Sequence, residues 1–199
     1  MRNSSTRLLL TCAAIGVGGG LVFVASGYVQ GLIAATAPIL YGLLVGVYFL
    51  PGVIAQSLLR RGGVALLTGL FAGLVAAAFS PQWFFRYLGA GLAIGLLQEL
   101  PFVLTRYRYW KAWIFYLAAA IAGLLFGIGV FVVIGMDHFA GWANLVYFTL
   151  FAVSPVAATW LGRLLADRLD KTGVARGLQH EIDRRAGRRE NTHALMVPA

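Results

Sequence analysis

Long apolar stretches separated by short polar breaks dominate the chain. No charged residue stands between Leu8 and Leu59, and uncharged runs of about 18 or more residues read as membrane-spanning helices. That first block is too long for one helix at about 1.5 Å per residue. It therefore holds two spans and a turn, and Ser26-Gly27, Gln30 and Pro38 place the turn around 27–38. The spans are predicted at about 8–27 and 37–59. Arg60-Arg61-Gly62-Gly63 turns the chain into a third span at 64–79, ended by Ser80-Pro81-Gln82. A fourth, at 85–105, stops at the basic segment 106–111. A fifth, at 112–135, stops at Asp137-His138, and a sixth occupies 142–165.

Composition agrees with the pattern. The chain is 60% hydrophobic and 12% charged, whereas soluble domains carry about a quarter charged residues. A soluble enzyme, a disordered chain and a disulfide scaffold are thereby set aside. The single cysteine, Cys12, can form no internal disulfide. A net charge of +9 raises nucleic acid as a partner, but the basic residues sit at span ends and in the tail and line no folded basic face. In a membrane protein such residues report orientation. With six spans, every one of the 16 basic residues except Arg86 falls on one side. Five spans would scatter them. The expectation is an all-α membrane protein: six transmembrane helices in residues 1–169, both termini cytoplasmic, and a basic cytoplasmic tail at 170–199. The rival for 1–27 is a secretion signal, with Arg2 and Arg7 before an apolar run; removing it would reverse the charge logic.

The 25 glycines suit helices whose backbones approach closely. Span 1 carries two small faces, Ala14 with Gly18 and Gly16 with Gly20. Gly69 and Gly73, Gly91 and Gly95, and Gly123 and Gly127 repeat the spacing in later spans. Internal packing explains any one pair; a groove for another membrane subunit is the sharper reading, and span 1 is its best candidate.

One acidic residue, Glu99, lies within a span. A carboxylate there costs several kcal/mol unless it is paired or faces water, and no span holds a basic partner. It is then protonated, bonded to neutral groups, or a contact for a substrate, the last being the working expectation. Pro101 removes a backbone bond close by, and Pro51 does the same in span 2 near Tyr48. Aromatic and polar residues gather towards the outer face: Tyr28, Gln30, Tyr41, Trp83, Tyr87, His138, Trp142, Asn144 and Tyr147. Tyr41 and Tyr48, seven apart, are expected on one helix face. Such a box with one carboxylate suits a flat, cationic heterocycle. No phosphate-binding loop, no metal-ligand spacing among the three histidines and no catalytic pair is evident, so neither enzyme activity nor a cofactor is expected.

Gly95-Leu-Leu-Gln-Glu99-Leu-Pro-Phe102 followed by Arg106-Tyr107-Arg108-Tyr-Trp110 resembles the YkoE-type S components of energy-coupling factor (ECF) vitamin transporters. So do Tyr48-Phe-Leu-Pro51 and Leu169-Asp-Lys-Thr172-Gly173-Val174. Family members often carry an acid early in span 3, where this chain reads Thr68-Gly69. The resemblance implies a compact S-component bundle in the bacterial plasma membrane. It implies binding of thiamine or its hydroxymethylpyrimidine precursor, with Gln98 and Glu99 beside the aromatic residues as contacts. It also implies a transmembrane coupling subunit, met through Ala14 and Gly18, and two cytoplasmic ATPase subunits. The alternative is a non-transporting membrane scaffold in which Glu99 is structural.

Overall fold

The computed structural model describes residues 2–107, 110–134 and 141–171. Its helices run α1 (Arg2–Thr36), a 3-10 helix (Pro38–Phe49) continuing into α2 (Leu50–Leu59), α3 (Val64–Phe79), a 3-10 turn (Pro81–Trp83), α4 (Phe84–Leu104), α5 (Ala112–Ile134) and α6 (Gly141–Lys171). Five of the apolar segments are long enough to cross a bilayer, and Val64–Phe79 is shorter. Asp137, His138, Arg108 and the tail from 172 lie outside the described residues.

The first span is longer than its breakers suggest. α1 continues through Ser26-Gly27 to Thr36 and ends only before Pro38. In the helix the Ser26 hydroxyl donates back to the Val22 carbonyl, and a side chain on Gly27 would overlap the Tyr87 hydroxyl. These residues that mark turns in water are here used for close contact inside the bundle. α6 likewise runs past the expected end to Lys171.

The second span has the expected limits but not the expected helix. Its first 12 residues are a 3-10 helix, a form usually confined to a single turn. At about 2.0 Å per residue, followed by α2 at about 1.5 Å, the span is roughly 39 Å long. Gly42 and Gly46 press against Phe151 and Ser154 of α6. The Ser154 hydroxyl accepts from the Gly46 amide at 2.9 Å and donates to the Leu43 carbonyl at 2.6 Å. Those are the two groups that an i to i+3 bond would join, so α6 supports the tighter winding directly. Pro51 falls in the first turn of α2, where its missing N–H leaves nothing unsatisfied. It marks the change of winding rather than a break.

The glycine faces resolve into contacts. A side chain on Gly69 would overlap the Gly91 carbonyl and one on Gly91 the Gly69 carbonyl, while a Cβ on Gly95 would lie 2.9 Å from the Leu66 Cα. Thus α3 and α4 touch backbone to backbone. Gly16 and Gly20 of α1 meet Phe71, Ala72 and Val75 of α3, and Gly123 and Gly127 of α5 receive Phe151 of α6. Charge is sorted between the ends. Arg60, Trp110, Arg163 and Asp167 meet at one end, and Arg163 lies 5.0 Å over the Phe115 ring there. Arg86 sits at the other end with Tyr41. Below, the ends are called inner and outer on the expectation from charge that the richer one is cytoplasmic.

The backbone contact makes opposite predictions for neighbouring glycines. Gly91→Ala should destabilise the bundle by about 1–3 kcal/mol, because neither backbone can yield. Gly89→Ala, with nothing within 4 Å, should be neutral or stabilising by up to about 1 kcal/mol. Thermal denaturation in detergent separates the two; equal losses would show that α3 and α4 do not pack this way.

Candidate functional site

At the outer end four tyrosines named from the sequence come together. Tyr41, Tyr48, Tyr87 and Tyr147 share one buried cluster with Phe23, Phe49 and Phe151. The Tyr48 ring lies 4.5 Å from Phe23, and Tyr147 lies 4.5 Å from Phe151. Tyr41 and Tyr48 do not share a face by helical period, since seven residues of 3-10 winding leave them about 120° apart. Gln30 joins them instead. Only 2% exposed, it accepts from the Tyr48 hydroxyl at 3.1 Å and donates to the Tyr41 carbonyl at 3.4 Å. Gln30 can do this because α1 continues beyond Gly27.

Arg86 extends the cluster to its rim. Its guanidinium donates to the Tyr41 hydroxyl at 2.9 Å and lies 5.3 Å over the Trp83 ring. The Tyr147 hydroxyl donates to the Gly127 carbonyl at 3.1 Å. Trp83 and Trp142 are 51% and 67% exposed, and Asn144 is half-buried one turn before Tyr147. The outer end thus offers aromatic faces, phenols, amides and one cation. His138 lies outside the described residues.

Glu99 is at the other end. Its carboxylate is 5% exposed and both oxygens accept. Oε1 takes the Ala65 amide, in the first turn of α3, at 2.8 Å. Oε2 takes the Tyr107 hydroxyl at 3.0 Å. Burial, then the neighbouring carboxylate, holds that hydroxyl above the ordinary phenol range, so it remains a donor. Along α4, Glu99 lies 12 residues from Tyr87, about 18 Å, further than one heterocycle reaches. Gln98 is bonded too: its side-chain amide donates to the Phe49 carbonyl at 2.9 Å, and its backbone carbonyl takes the Gln56 side-chain amide at 3.3 Å. The structure therefore sets Glu99 away from Tyr87 and the outer rim, while Gln98 reaches the backbone of Phe49 at the edge of the aromatic cluster. In this structure both Glu99 oxygens are bonded to neutral groups.

The motif around Glu99 is an inner-end clasp. Arg106 and Tyr107 both have positive φ, 50° and 57°, which folds the chain back and lays the Tyr107 ring on Gly62. The Trp110 indole donates to the Tyr107 carbonyl at 3.1 Å and stacks on Phe102 at 4.8 Å. Phe115 completes this cluster.

On the outside of α1, Ala14 and Gly18 are exposed, and Gly18 has nothing within 4 Å. They line an apolar groove of about 590 Å³ with Pro51, Ile54, Leu165 and Leu169. The two small faces of α1 are thus distinct: one packs on α3 and the other is open.

Sequence reasoning left Arg86 out of the site. Its signal was there, as the lone basic residue on the sparse side, beside Trp83 and Tyr87.

Comparison with known proteins places this geometry. The family model described as "ABC-type cobalt transport system, permease component" matches residues 8–125. A similar curated protein is the "Putative HMP/thiamine permease protein YkoE" of Bacillus subtilis (strain 168), 27% identical over 142 residues, 71% of each chain. A similar solved structure is an S-component of an ECF transporter. It has a TM-score of 0.80 at 23% identity and is matched over 93% of this chain and 96% of that one. The S-component fold expected from the sequence is therefore shown.

A clasp and a substrate contact behave differently when cut. Glu99→Ala strips a charged acceptor from two buried donors and should cost about 1.5–3 kcal/mol of stability, with ligand affinity in the folded fraction unchanged. Denaturation and equilibrium binding on the same preparation test this. A tenfold loss of affinity at wild-type stability would return the carboxylate to the substrate.

Proposed function

Because the chain belongs to the family of ABC-type cobalt transport system permease components, we propose that it is the substrate-binding subunit of an ECF-type importer for thiamine or hydroxymethylpyrimidine. The family consists of membrane transport proteins rather than enzymes, and the chain is a multi-pass protein of the bacterial plasma membrane. The observation that carries the substrate reading is the outer cluster: four tyrosines, two of them joined by Gln30, with Arg86 and Trp83 at the rim. Tyrosine and tryptophan rings stack on a pyrimidine. The half-buried Asn144 amide matches its ring nitrogens and amino group. A thiazolium would add cation–π attraction.

The donor set speaks to a metal cargo as well. Cobalt prefers sites built from several nitrogen, sulfur or carboxylate ligands. Among the described residues no three His, Cys, Asp or Glu side chains gather to hold an ion. Phenols, amides and aromatic faces favour an organic ring.

Energy comes from elsewhere in this reading, since the sequence holds no nucleotide-binding loop. The open Ala14 and Gly18 face, continuous with an apolar groove beside α2 and α6, is the surface offered to a transmembrane coupling subunit, which in turn meets two ATPases. Small residues let a partner helix approach closely.

Two measurements test this. Purified chain titrated with thiamine and with hydroxymethylpyrimidine should bind at least one of them. Trp83→Ala, which removes a half-exposed ring, should weaken that binding about tenfold, equivalent to roughly 1.4 kcal/mol. Binding of neither compound would sink the substrate assignment. Separately, Gly18→Leu should keep fold and ligand affinity but abolish co-purification with the coupling subunit. An intact complex would remove this face as the docking surface.

A further inference from the structure

A second groove, of about 540 Å³, lies between α4 and α5 at the inner end. Pro101, Leu104, Ile114, Leu117, Ala118 and Ile121 line its apolar length, and Thr105, Lys111 and Trp113 stand at its mouth. From Lys111 to Ile121 is ten residues, about 15 Å of rise if helical throughout. Leu104, Leu117 and Ile121 are 82%, 51% and 48% exposed, so the groove opens sideways, towards the acyl chains in a bilayer. Pro101, inside α4, is part of its wall.

Among the described residues that line the groove, the one charged side chain is cationic, Lys111. Glu99 is committed to Ala65 and Tyr107. Lys111 has no carboxylate within ion-pair distance among the described residues, and it is exposed together with Trp113. An occupant therefore needs an apolar chain to fill the groove and an anionic group to meet an ammonium and an indole N–H. A zwitterionic headgroup would bring its own ammonium against Lys111.

We propose that this groove binds an anionic phospholipid, with one acyl chain along Leu117 and Ile121 and the phosphate at Lys111 and Trp113. The site is separate from both the outer cluster and the Ala14 and Gly18 face. It ties the inner end of α4 and α5 to an anionic leaflet, as juxtamembrane basic residues do.

The test uses the full chain, delipidated in detergent and re-exposed to phosphatidylglycerol or phosphatidylcholine, with retained lipid counted by native mass spectrometry. Wild type should retain phosphatidylglycerol about fivefold better, the preference one basic residue near an anionic surface confers. Lys111→Gln should bring the two lipids to parity. Leu117→Trp, which fills the groove from an exposed position, should abolish retention of both. Equal retention of both lipids by wild type would overturn the proposal. So would an undiminished preference in Lys111→Gln, or phosphatidylglycerol still held by Leu117→Trp.

Discussion

Inside a bilayer a buried polar group has no water to bond, so its partner must come from the protein. That constraint accounts for the buried amides and the one buried carboxylate of this bundle, while the hydroxyls of Ser57, Thr68 and Thr159 are buried without a hydrogen-bond partner among the described residues. Gln98 and Gln56 serve carbonyls of the second and fourth spans. Ser154 bridges two groups of a long 3-10 helix. Glu99 closes the start of α3 and anchors the turn after α4. All but the Glu99–Tyr107 bond tie one span to another, and the glycine contacts between α3 and α4 bring those two backbones close.

The consequence is a division of labour along the membrane normal. The inner half is clasped by the Glu99–Tyr107 bond and by Phe102, Trp110 and Phe115. The outer half holds the tyrosine cluster, where Gln30 and Arg86 bring amide and guanidinium groups to aromatic rings. Most of the sequence motif that resembles S components belongs to the clasp. In this chain the motif joins α3, α4 and the start of α5.

Much of the architecture was legible in the sequence, because charge-free runs and basic turns are direct consequences of bilayer solvation. The helix limits around Gly27 were not. Ser and Gly read as breakers only where water competes for the backbone, and here they make close contacts to Val22 and Tyr87. The four tyrosines were legible as a group, although the winding that places them was not, since no local pattern announces a 3-10 helix held by Ser154 from another span. Glu99 was legible as a lone carboxylate that demands a partner, but not which partners it has, a backbone amide and a tyrosine that only the folded turn brings near. The two faces of α1 were visible as spacing, and the structure separates them, since Gly20 has a neighbour and Gly18 does not.

The five tryptophans of the chain can locate the substrate. Trp83 and Trp142 lie towards the outer end, and Trp110, Trp113 and Trp160 towards the inner. Quenching by thiamine should be measured in one variant with both outer tryptophans changed to Phe and in another with the three inner ones changed. A substrate held at the outer cluster leaves the quench intact in the second variant and removes it in the first. Quenching that survives loss of the outer pair and disappears with the inner three would place the substrate beside Glu99 and contradict the division described here.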